Sequence, residues 1–152
     1  MIAASGDTRK NEPANLIDSK SNTLFILEGR GPESLVWVQL ELSESSLVRK
    51  IEIEAPKEWT LGIAGFMIVR IGEQKVNNAS SINAQQEAIS KNEICNSYGE
   101  NWRYPAGTVM ITLICERPIF GRLVLIQCIK CEGNMIFAEV AVYRNLANSC
   151  KY

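Results

Sequence analysis

The sequence predicts an all-β fold, an antiparallel β-sandwich, on three observations. Some stretches alternate apolar and polar residues with a period of two, others are short apolar runs rich in β-branched residues, and Gly, Pro and Asn punctuate the long polar connections between them. "SLVWVQLEL" sets Val36, Val38, Leu40 and Leu42 on one face and Trp37, Gln39 and Glu41 on the other, the pattern of a half-buried strand. "RKIEIEA" alternates more cleanly, with Ile51 and Ile53 inward against Glu52 and Glu54, and "FMIVRIG" follows a loop carrying Gly62 and Gly65. "TVMITLIC", "RLVLIQCI" and "MIFAEVAVY" read as interior strands. Only "SSINAQQEAISKN" has a helix-friendly composition, and without a strong apolar stripe it reads as a loop with a turn or two of helix.

A chain of 152 residues, 46% hydrophobic and 22% charged, suits one soluble domain with a core of its own. The formal net charge of −1 gives no broad field for nucleic acid or acidic lipid, so any ligand is recognised locally. No apolar stretch has the length of a membrane span, and no basic segment and hydrophobic run follow Met1. The expectation is either a cytosolic protein or a mature domain excised from a larger parent and furnished with a start methionine.

Five cysteines, all from Cys95 onward, bear on that choice, because disulfides persist outside the cell and are rare in the cytosol. The odd count leaves at least one thiol unpaired or paired with another chain. Cys128-x-x-Cys131 lacks a second such pair, which makes a structural zinc a weaker reading than ordinary strand and turn cysteines. Cys95 and Cys115 bracket the loop "NSYGENWRYPAG", and a disulfide closing it would stabilise the fold by about 3 kcal/mol. Asn78-Ala79-Ser80 is the one match to the N-glycosylation pattern, a match that arises easily by chance.

Catalytic constellations are mostly excluded. The chain has no histidine, which removes the commonest general base, the histidine-activated nucleophiles and histidine-rich zinc sites together. There is no nucleophile elbow, phosphate loop or dinucleotide fingerprint. The expectation is that the protein is not an enzyme. Glu139 is the single charge in "MIFAEVAVY", at a place that reads as deep in a sheet, where a carboxylate is costly unless paired or bound to a metal.

In order along the chain, "ANLIDSKSNT", "VWVQLEL", "RKIEIEAP", "GFMIVRIG", "TVMITLIC", "GRLVLIQ" and "FAEVAVY" resemble the F-type lectin (fucolectin) domain. That family is a branch of the discoidin-like, galactose-binding-like jelly-roll sandwiches. The likeness implies a single domain with a core over about residues 14–143 and a C-terminal tail over 144–152. It also implies a structural Ca2+ site, in which an Asn-x-x-Asp-Gly loop and an acid on the last strand supply oxygens. Asn15, Asp18 and Glu139 match that pattern; Ser19 stands where the family has glycine, and Lys20 adds an ammonium that could hold the two acids without an ion. The metal-site set so implied is Asn15, Asp18, Lys20 and Glu139. Cys95 and Cys115 match one family bridge, whereas the other is missing at both ends, Ala138 replacing its second cysteine.

The family's fucose site is not matched. No histidine stands in "LEGRGPES", and the family's arginine positions fall close to Ala55 and Gly62. The binding residues that remain at that end are Arg30, Lys57 and Trp59, with Trp102 and Arg103 from a second loop, since aromatics and arginine dominate small binding hot spots. Two functions follow as expectations. One is a divergent carbohydrate-binding module, extracellular or at the cell surface, with altered glycan choice. The other is a protein-interaction module on the same scaffold, its loops 26–33 and 55–64 contacting another polypeptide. Neither involves nucleic acid or membrane insertion.

Overall fold

The computed structural model describes residues 2–4, 14, 17–19, 23–28, 35–54, 64–97, 110–132 and 134–144. Two long bent strands organise them, β3 (Val36–Glu54) and β6 (Met110–Glu132), antiparallel to each other along most of their length. Each was expected as two separate strands; each instead runs through both layers of the sandwich. In the first layer β1 (Ile2–Ala4) pairs with the first half of β3, and β6, β4 (Ala64–Gly72) and β5 (Glu93–Ser97) follow in the order β1-β3-β6-β4-β5. In the second layer the end of β3 lies between the start of β6 and β8 (Glu139–Arg144). A two-stranded sheet of β2 (Phe25–Glu28) and β7 (Asn134–Phe137) completes the strands among the described residues.

The bend in β3 coincides with register shifts between Glu41 and Ser46 and between Val48 and Lys50. An extra residue in one strand reverses which side chains face inward. Val36, Val38 and Leu40 therefore point to the core before the bend, and Ile51 and Ile53 after it. Side chains from both layers and from the β2–β7 pair share one buried cluster, which holds Val38, Ile51, Val69, Leu113, Ile126 and Val140 together with Phe25 and its cross-strand partner Phe137. Cys95 and Cys115 lie in the same cluster and form a disulfide with an S–S distance of 2.01 Å, tying β5 to the first half of β6. Gly121 sits where β6 turns into the first layer; a Cβ there would stand 2.7 Å from the Gly72 backbone, so only glycine permits the approach.

Four further expectations are corrected. Trp37 and Gln39, read as the outer face of a half-buried strand, are both buried. The segment after β4 folds back over that face and carries α1 (Ile82–Ser90), longer than the turn or two expected. Its helix starts at Ser81, whose hydroxyl accepts from the Ala84 N–H, and packs Ile89 with Val76, Trp37 and Leu125. Gln85 on the helix accepts the Trp37 indole N–H at 2.9 Å, and Gln39 accepts the Val76 N–H at 2.9 Å. The start of β6 is not interior: Ile111, Leu113 and Cys115 are buried, while Met110 and Ile114 are about half exposed. "MIFAEVAVY" is two strands rather than one, because the chain leaves the β2 pairing at Ala138 and joins β3.

Candidate functional site

The sandwich brings the loop containing Asp18 to the first residue of β8. Glu139 opens that edge strand, half-buried and not deep in a sheet as expected, with Glu54 as its cross-strand partner. The switch from β7 to β8 is fixed by the Ala138 N–H, which donates to the Glu54 carbonyl at 2.7 Å. Glu139 Oε2 in turn accepts the backbone N–H of Ser19 at 2.9 Å, a hydrogen bond across 120 positions of sequence. Ser19 has φ 61°, the one positive φ at a non-glycine residue among those described, at the position where glycine was expected to be the comfortable residue. The left-handed turn aims the N–H of the residue after Asp18 at the last strand.

Asp18 is held from its own loop. Both of its carboxylate oxygens lie within hydrogen-bond distance of the Thr23 hydroxyl, at 2.9 and 2.8 Å. Thr23 was not singled out from the sequence: a threonine five residues after an acid carries no pattern of its own. The loop and the strand thus form a clasp in which one carboxylate orders the loop internally and the other anchors it to β8. The donor chemistry fits a calcium ion. Two carboxylates and a hydroxyl are hard oxygen groups, and no cluster of three or more His, Cys, Asp or Glu occurs among the described residues, so the balance of the shell would come from carbonyls and water, which calcium accepts. Zinc is a poor fit, because Cys95 and Cys115 are bonded to each other and Cys128 is also disulfide-bonded.

Beside the clasp, an open depression of about 190 Å³ is lined by Glu52, Glu54, Met110, Glu139, Ala141 and Tyr143. One wall is a self-contained charge group. The Lys50 ammonium pairs with Glu52 at 2.8 Å and lies 3.8 Å from the centre of the Tyr143 ring, while the Tyr143 hydroxyl donates to the other Glu52 oxygen. The hydrogen bonds from Lys50 and then Tyr143 hold the Glu52 carboxyl below its usual range. Accepting from Lys50 and Tyr143, Glu52 conversely pushes the Lys50 ammonium and the Tyr143 phenol upward.

Of the residues expected to form a site, Glu139 accepts the backbone N–H of Ser19, the residue after Asp18, and Cys95 is bridged to Cys115. Asn15 and Lys20 lie outside the described residues, as do the expected ligand contacts Arg30, Lys57, Trp59, Trp102 and Arg103.

No protein-family model matches the sequence, and no curated protein matches it. Solved structures do match its fold over nearly its whole length. The family 32 CBM (carbohydrate-binding module) of NanJ from Clostridium perfringens, in complex with galactose, superposes with a TM-score of 0.67 at 16% identity, over 95% of this chain and 93% of that one. The CBM32 of AlyQ, in complex with 4,5-unsaturated mannuronic acid, gives a TM-score of 0.63 at 14% identity over 95% of each chain. A fucolectin from the serum of striped bass, Morone saxatilis, gives 0.68 at 20% identity over 96% of this chain and 45% of the lectin. The chain has the discoidin-like, galactose-binding-like sandwich fold that these proteins share.

Proposed function

We propose that this domain is a non-catalytic recognition module that binds glycans outside the cell, with a specificity different from that of fucose-selective lectins. The observation that carries the reading is the fold likeness itself, which spans nearly all of this chain and of modules whose structures hold galactose or an unsaturated uronic acid. The chain has no histidine with which to repeat the fucose-binding arrangement of the family that its sequence resembles. Arg30, Lys57 and Trp59, with Trp102 and Arg103, are the residues proposed to contact the sugar, the indoles stacking on its apolar face and the cations donating to its hydroxyls. The disulfide between Cys95 and Cys115 supports an oxidising, extracellular setting.

The clasp of Asp18 and Glu139 is assigned a structural role, and it is proposed to hold a calcium ion that orders the loop after Asn15. Melting the protein in millimolar calcium and in chelator tests this directly. A higher midpoint with calcium, lost in Glu139→Gln, supports the ion; identical midpoints refute it. A glycan array probed with the folded domain tests the function. Binding to a defined sugar class that Trp59→Ala abolishes supports the proposal. A blank array from well-folded protein refutes it and favours the second reading, recognition of a protein partner. That reading is supported by the half-exposed Met110 and Ile114 on the outer face of the second layer.

A further inference from the structure

We propose that Asn78 is a site of N-linked glycosylation. The three-residue pattern Asn78-Ala79-Ser80 is weak as sequence, and the fold supplies what it lacks. Residues 77–80 form a tight turn between β4 and α1, closed by the Ser80 N–H donating to the Asn77 carbonyl at 3.1 Å. The side chain that shapes this turn is that of Asn77, whose Oδ1 accepts the Ala79 N–H at 2.9 Å. Asn78 is exposed, and its carboxamide makes no hydrogen bond among the described residues. Its structural contribution runs through its backbone carbonyl, which accepts from Gln85 Nε2 at 3.3 Å. Attachment at Nδ2 therefore leaves every hydrogen bond of the turn and of the helix start intact.

Space and setting agree. An open depression of about 210 Å³, lined by Lys75, Val76, Asn77 and Asn78, gives the first sugar room beside its point of attachment. The disulfides at Cys95–Cys115 and at Cys128 suit the oxidising pathway in which this modification is made. In the reaction the Asn78 Nδ2 bonds to the anomeric carbon of an oligosaccharide carried on a lipid pyrophosphate. The bond from that carbon to the pyrophosphate oxygen breaks, the amide gives up one proton, and the lipid pyrophosphate leaves. Asn78 lies on the α1 side of the first layer, whereas Glu139 begins a strand of the second layer, so a glycan here leaves the clasp uncovered.

The assignment rests on the extracellular part of the proposed function and is independent of whether the domain binds sugar. The full chain is secreted from cultured animal cells behind a signal peptide, and the tryptic peptides are analysed by mass spectrometry with and without an amidase that removes N-glycans. The expected result is glycan on most Asn78 copies, converted to aspartate by the amidase. It disappears in Asn78→Gln and Ser80→Ala, returns in Ser80→Thr and persists in Asn77→Gln. Unmodified Asn78 in secreted protein with the Cys95–Cys115 bridge formed overturns the assignment and leaves the recognition proposal standing. A blank glycan array with Asn78 modified does the reverse.

Discussion

Replacing both Cys95 and Cys115 by alanine removes the cross-link that ties the edge strand β5 to the first half of β6. The bridge closes a loop with a sequence separation of 20 residues. The chain-entropy relation for a loop of that size gives about 11 cal/mol/K, or about 3 kcal/mol of stability at 25 °C. Both cysteines also belong to the buried cluster, 6% and 0% exposed, so alanine leaves small voids and the predicted loss rises to about 3–5 kcal/mol. For a chain of this size that lowers the melting midpoint by roughly 10 °C. The assay is urea unfolding of the wild type and the double variant by tryptophan fluorescence and circular dichroism, with oxidised and reduced wild type as a second comparison. A loss below about 1 kcal/mol would rule out a dominant role for the bridge. It would mean that β5 is held by its pairing to β4, by Asn96 Nδ2 donating to the Ile114 carbonyl and by the exposed Arg117–Glu93 pair, with the bridge adding little.

Ser19→Gly relieves the left-handed backbone at φ 61° and, after the added freedom of the unfolded chain is subtracted, stabilises the domain by about 0.5 kcal/mol. A loss of stability in thermal melts would show that the serine side chain contributes to the clasp. Gln85→Ala removes the hydrogen bond that Gln85 accepts from the buried Trp37 indole N–H and costs about 1–3 kcal/mol, measured by denaturant unfolding, whereas an exposed substitution such as Gln86→Ala is neutral. Glu52 has its pKa lowered by Lys50 and Tyr143, so its contribution is present above the unfolded value near 4.5 and is lost as pH falls through the folded value. Glu52→Gln therefore flattens the acid limb of the stability profile below about pH 4.5 and leaves its slope near neutrality unchanged, which melts between pH 3 and 7 would read.

Much of the fold was legible where one physical rule acted alone. Ile51 and Ile53 against Glu52 and Glu54 face one core and one open surface, and their alternation reads directly as burial. Trp37 and Gln39 follow the same alternation but were misplaced, because nothing local announces that α1 will fold over their face. The division of "MIFAEVAVY" at Ala138 was hidden for a related reason: a run apolar throughout does not reveal where the chain changes sheets. At the site, the need for a left-handed residue at position 19 was visible through the glycine that the resemblance places there. The roles of Thr23 and of the Ser19 N–H were not, since a backbone donor meeting a carboxylate 120 residues away exists only in the fold.

Sugar recognition through Trp59 and its companions is the central proposal. Isothermal titration of the strongest glycan from the array, against the wild type, Trp59→Ala and Asn78→Gln, tests it most directly. The expected result is saturable binding by the wild type and by Asn78→Gln, and at least a tenfold weakening in a folded Trp59→Ala, about 1.4 kcal/mol or more. Equal affinity in Trp59→Ala would contradict the assignment of the binding end, and no heat from any folded variant would contradict glycan recognition itself.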